Sequence, residues 1–88
     1  MDVRREVRDF VTKTFAEPMG VSAPADHESL LLSGVIDSFN VFEIIGFLEE
    51  QYSLSIHPDE ITPENLDGIS RIADFVIAKH SSGRPPAS

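Results

Sequence analysis

Three stretches of this chain carry apolar residues at helical spacing, and no stretch of convincing length alternates in the two-residue rhythm of a strand. Between residues 38 and 52, Val41, Ile44, Ile45, Leu48 and Tyr52 fall at offsets 0, 3, 4, 7 and 11, one stripe of a 3.6-residue helix. Phe39, Glu43, Gly46 and Glu50 recur on the opposite side, which sets one large apolar side chain on an acidic face. Residues 2 to 16 repeat the pattern with Val3, Val7, Phe10, Val11 and Thr14, and Asp2 is placed to cap them. Gly68 to about His80 repeat it with Ile69, Ile72, Ala73, Val76 and His80, with Asp67 as the expected cap.

Between these helices the chain reads as connections. Glu17-Pro18-Met19-Gly20 ends the first helix, because proline cannot continue the ladder and glycine suits the turn that follows. Residues 17 to 37 are expected to form a long loop, pinned to the core by the run Leu30-Leu31-Leu32. Residues 53 to 67 read as a loop with one or two short helical turns, anchored by Ile56 and Ile61, with a helix start at Thr62-Pro63-Glu64. The expected fold is all-α: an antiparallel bundle of three main helices plus one short one, in a single domain over 1–80, with a flexible tail over 81–88. A length of 88 residues leaves room for little more.

Composition narrows the function. No apolar run approaches the roughly 20 residues of a membrane span, and Met1-Asp2-Val3-Arg4-Arg5-Glu6 lacks a signal-peptide core, so a cytoplasmic monomer without membrane insertion is expected. The absence of cysteine excludes disulfides, thiol nucleophiles and thiolate metal sites, so any thiol chemistry needs an added group. Net charge is −8, and all seven basic residues lie near the ends, leaving Thr14 to Ser70 with eleven acids and no Lys or Arg. Such a surface repels nucleic acid and anionic headgroups and suits partners with basic patches.

Ser38 carries the candidate chemistry. A serine at a helix start sits beside unpaired N–H groups and the positive end of the dipole, which favour a phosphate there; the bland role of an Asp-Ser pair in that place is capping. The segment Gly34-Val35-Ile36-Asp37-Ser38-Phe39, mid-chain after a long loop, resembles the acyl carrier protein family, which bears phosphopantetheine on the serine of an Asp-Ser-Leu type motif. The similarity runs from about Ser29 to Ala78, with the first helix agreeing in pattern only.

The resemblance implies a 4′-phosphopantetheine arm on Ser38, donated by coenzyme A through a phosphopantetheinyl transferase whose magnesium stabilises the pyrophosphate. Asp37 is implied either as a contributor to that metal environment or as a helix cap. An acyl- or aminoacyl-activating ligase would load the arm, and downstream transferases or synthases with basic docking patches would unload it. Phe39, Glu43, Gly46, Glu49, Glu50 and Ile56 take the partner-facing positions. The protein itself would be a substrate and not an enzyme. Asn40 in place of an acid, Gly46 in place of a bulky apolar residue, and a segment from Ile56 to Ile69 about two residues longer than in fatty acid carriers point to a dedicated pathway. Fatty acyl, polyketide, aminoacyl and D-alanyl cargoes remain open, and the chain length carried would depend on whether the bundle opens a cavity among Phe42, Ile45, Leu48 and their neighbours.

Other classes fit less well. No Asp-x-Asn/Asp-x-Asn/Asp-Gly calcium loop is present, and Asp59 to Asp67 is interrupted by Ile61 and Pro63. His27, His57 and His80 are scattered, with no base beside a nucleophile. The stronger alternative is an unmodified acidic helical module that binds partners through the same face.

Overall fold

The computed structural model describes residues 2–82, which are all-helical apart from their connections. Five helices follow in order: α1 (Val3–Val11), α2 (Leu30–Ser33), α3 (Val41–Tyr52), α4 (Pro63–Leu66) and α5 (Ile69–Ser82). Three are long and two short, so the bundle has one short helix more than the sequence suggested. Helix α5 lies against α1, α3 and α4, and one core cluster joins them through residues that include Val7, Val11, Leu30, Ile44, Leu48, Leu66, Ile72 and Val76. No helix among the described residues is long and apolar enough to cross a membrane.

The expected Asp2 cap is present, its carboxylate accepting the Arg5 N–H at 3.1 Å. The first helix runs further than expected, however. A π-helical stretch, Thr12–Ala16, continues α1 into a last turn, Glu17–Met19, so Pro18 lies inside the helical run and Gly20 ends it. Glu17 N–H bonds the Thr12 carbonyl, and Pro18, which has no N–H to place, comes directly after that widened turn. Gly20, at φ 76°, closes the end with paired bonds: Gly20 N–H to Glu17 O at 2.9 Å and Val21 N–H to Ala16 O at 3.1 Å. The wider turn also rotates the buried stripe. Val3, Val7, Val11 and Phe15 are buried, whereas Phe10 and Thr14 are half-buried. Phe10 stacks on Phe47 with ring centres 4.1 Å apart, and Tyr52, edge-on to Phe47, donates its hydroxyl to Glu6 at 2.5 Å.

The leucine run is a helix and not a loop. Ser29 caps α2 by accepting the Leu32 N–H at 3.0 Å, and of the three leucines only Leu30 is buried, Leu32 being 90% exposed. Asp67 does not cap α5. Its carboxylate reaches back to α2, accepting the Ser29 hydroxyl at 2.5 Å and the Leu31 N–H at 2.8 Å, while the Ser70 N–H in the first turn of α5 goes to the Asp26 carbonyl at 2.9 Å. The Arg8 guanidinium pairs with the Asp26 carboxylate and donates to the Pro24 carbonyl at 3.3 Å, which ties the same loop to α1.

The connection from 53 to 62 follows expectation, with a 3₁₀ turn at Pro58–Glu60 and Ile56 and Ile61 half-buried against the core. The deepest anchor of this region is Leu66, in α4. In α5 the buried stripe ends at Val76, and His80 is exposed. The helix continues through Ser82, two residues into the expected tail; the rest of that tail lies outside the described residues.

Lys79 Nζ donates to both Glu60 oxygens at 2.9 and 3.0 Å, and Glu60 also accepts the His57 N–H at 2.9 Å. The His57 bond first, and the Lys79 ammonium after it, hold the Glu60 carboxyl below the usual glutamate range. A depressed folded-state pKa contributes stability in full above the unfolded value, about 4.3, and loses it as pH falls through the folded one. Glu60→Gln is therefore expected to lower the thermal midpoint at pH 7 and to make little difference once both states are protonated. Equal losses at both pH values, followed by circular dichroism, would contradict this.

Candidate functional site

Ser38 stands at the end of a path that begins in α2. Gly34, at φ 82°, ends that helix in the left-handed conformation a side chain disfavours. Val35 and Ile36 then turn inward and are buried, fixing the backbone immediately before the Asp-Ser pair. Asp37 caps the turn that follows. One carboxylate oxygen, Oδ1, accepts the N–H groups of Phe39 and Asn40, both at 2.9 Å, and the Asp37 carbonyl accepts the Val41 N–H at 3.3 Å. Residues 38–40 form this capped turn, and α3 proper begins at Val41.

The division between the two residues is sharp. Asp37 does the capping, and Ser38 is exposed with no hydrogen bond from its hydroxyl to any described residue. This corrects the sequence reading in one respect: the first N–H groups of the turn are already satisfied by a carboxylate, so they are not free to hold a phosphate. A capping residue replaced by alanine costs about 1 kcal/mol, whereas surface changes cost within about 0.5 kcal/mol. Asp37→Ala should therefore lower stability measurably and Ser38→Ala should not, by urea denaturation; a loss at Ser38 equal to that at Asp37 would assign the cap to the wrong residue.

Beside Ser38 opens an apolar cleft of about 150 Å³. Leu31, Ile36 and Val41 form one wall; Ile61, Thr62, Pro63, Leu66 and Asp67 form the other. Of the residues around which a cargo cavity was considered, only the neighbour Val41 lines this cleft; Phe42, Ile45 and Leu48 do not. Ile45 and Leu48 are sealed in the core, and Phe42 points outward, 61% exposed.

The outer face of α3 matches the helical count. Phe39 is 82% exposed, and Glu43, Gly46 and Glu50 are exposed with it. Gly46 has ordinary helical geometry, and nothing lies within 4 Å of where its Cβ would be. A mid-helix glycine costs about 1 kcal/mol against alanine, and no contact in the fold requires it here. Glu49 differs from its neighbours: it is half-buried, and its carboxylate accepts the Ile56 N–H at 2.9 Å, which joins two expected partner-facing residues in an internal contact.

The acidity of the central stretch also divides. Asp26, Glu28, Asp37, Glu49, Glu60 and Asp67 have partners within the chain. Among the described residues, the side chains of Glu17, Glu43, Glu50, Asp59 and Glu64 have none, and of these Glu43 and Glu50 lie on the face that carries Phe39. No group of three or more His, Asp or Glu among the described residues is arranged to hold a metal ion. Two features escaped the sequence reading: the outward Phe42 and Leu32, which look like core residues in composition, and Asp67, whose partners lie 36 and 38 residues away. No family model, no curated protein and no solved structure matches the chain.

Proposed function

We propose that this chain is a carrier of acyl or aminoacyl groups, attached through a 4′-phosphopantetheine arm to Ser38. The observation that carries the reading is the unbonded, exposed Ser38 hydroxyl beside a carboxylate that has taken over the capping role. A serine kept only as a cap would be bonded to the turn it caps.

The residues around Ser38 fit such a group. The hydroxyl is open to a transferase, and the adjoining cleft offers an apolar surface with Thr62 and Asp67 among its lining residues. When bound, the group supplies a terminal thiol that holds its cargo as a thioester. In the attachment step the Ser38 oxygen forms a new bond to phosphorus as the pyrophosphate link of coenzyme A breaks; adenosine bisphosphate leaves, and the hydroxyl proton passes to a base on the transferase. The chain's own part is to present that oxygen on a short, capped turn whose base is buried at Val35 and Ile36.

Docking falls to the outer face of α3. Phe39 and Phe42 offer apolar contact, and Glu43 and Glu50 offer exposed charge with no partner among the described residues. Exposed ion pairs contribute about 0–1 kcal/mol each, a strength suited to brief exchange among a transferase, a ligase and downstream enzymes. The bare Gly46 between them lets a partner approach the helix closely, which fits a dedicated pathway rather than a general one.

Incubation with coenzyme A and a broad-specificity transferase, followed by intact mass, is expected to add one phosphopantetheine to the wild-type chain and none to Ser38→Ala. A wild type that gains no mass, or a gain that survives Ser38→Ala, would leave the unmodified interaction module as the better account.

A further inference from the structure

We propose that Asp67 is a positioning residue for Ser38, a clasp that joins the two walls of the cleft; the inference rests on the carrier reading. Ser38 sits on the wall formed by residues 31 to 41, and Asp67 on the wall formed by residues 61 to 67. The Asp67 carboxylate accepts the Ser29 hydroxyl through Oδ2 at 2.5 Å and the Leu31 N–H through Oδ1 at 2.8 Å. Among the described residues no other hydrogen bond, from side chain or backbone, runs between residues 29–38 and residues 57–67.

The joint has mechanical consequences because α2 is too short to hold itself. Four residues give one turn, and an isolated turn is unfavourable in water. Its first free N–H groups are closed by Ser29 from within and by Asp67 from across the cleft. Both contacts to Asp67 are charge-assisted, and the short O···O distance is that of a hydroxyl on a carboxylate. From Leu31 the chain passes through the Gly34 turn and the buried pair Val35 and Ile36 directly to Asp37 and Ser38. Releasing Asp67 removes the polar tie on α2 and leaves the base on which Ser38 stands held by the burial of Leu30, Val35 and Ile36, with more freedom to shift. The docking face of α3 does not include Asp67, so docking and presentation separate.

That separation is the test. Steady-state transfer of phosphopantetheine from coenzyme A by the same broad-specificity transferase is measured with the apo chain as the varied substrate. Asp67→Ala is expected to lower kcat about tenfold, since small displacements of a reacting atom are costly, with KM held within about twofold. Asp67→Asn, which keeps an acceptor for the Leu31 N–H, should recover most of the rate. The pair Glu43→Lys and Glu50→Lys should do the reverse, raising KM with kcat retained. A wild-type kcat in Asp67→Ala overturns the clasp. If Asp67→Ala does not fold, Ser29→Ala removes one of the two bonds and should slow kcat by a smaller factor; a wild-type kcat in Ser29→Ala overturns the clasp equally. A wild-type chain that accepts no phosphopantetheine overturns the carrier reading and this inference with it, and is distinguished at once from an unslowed variant of a chain that is modified.

Discussion

The connection between α1 and α3 has to be held still, and most of what this fold does follows from how that is achieved. Ordering each residue of such a segment costs about 1–2 kcal/mol in backbone entropy, and between Gly20 and Ser38 the only helix is one turn long. Burial of Leu30, Val35 and Ile36 offsets part of that cost, at about 1.5–3 kcal/mol for each large side chain. The remainder falls to polar fasteners at fixed points. Arg8 holds Asp26 and Pro24 against α1, the Asp26 carbonyl holds the start of α5, and Asp67 holds α2. The segment reaches Ser38 already fixed in direction.

At the end of that path two adjacent residues take different work. Asp37 closes the turn with one carboxylate oxygen and so relieves its neighbour of any structural duty. The same separation runs through the acidic residues of the chain's centre. Those with partners hold loops and helix ends in place, whereas Glu43 and Glu50 have no partner among the described residues and share the outer face of α3 with Phe39, with Phe42 at its edge. Charge that a reading by composition treats as one acidic surface is in fact split: six acids fasten loops and helix ends, Glu43 and Glu50 flank Phe39, and Glu17, Asp59 and Glu64 stand exposed elsewhere.

Much of this was legible in the sequence, and what was not has identifiable causes. The period of α3 placed Ile44, Ile45, Leu48 and Tyr52 inside and Phe39, Glu43, Gly46 and Glu50 outside, because one face of a regular helix meets a continuous core. The same counting misjudged Thr14 and Phe15, since a π stretch rotates the stripe within a few residues. The counting left Phe42 on neither stripe; it was considered only beside a cargo cavity, and it lies exposed on the edge between the two faces. Leu30-Leu31-Leu32 looked like an anchor, yet a helical turn exposes most of such a run whatever its hydrophobicity. Asp67 was assigned to the helix that follows it because local capping is what adjacent residues suggest; its real partners lie across the cleft. Of the site itself, Ser38, Phe39, Glu43 and Glu50 were readable as exposed positions, whereas the cleft and its clasp depend on residues brought together only by folding.

On the proposed reading, Ser38 carries a phosphopantetheine arm in the cell. Peptide mapping by mass spectrometry, on the chain purified from the cells that make it, tests this most directly. One phosphopantetheine is expected on the peptide that holds Ser38 and none elsewhere. A Ser38 peptide found wholly unmodified, in cells where the chain is working, would contradict it.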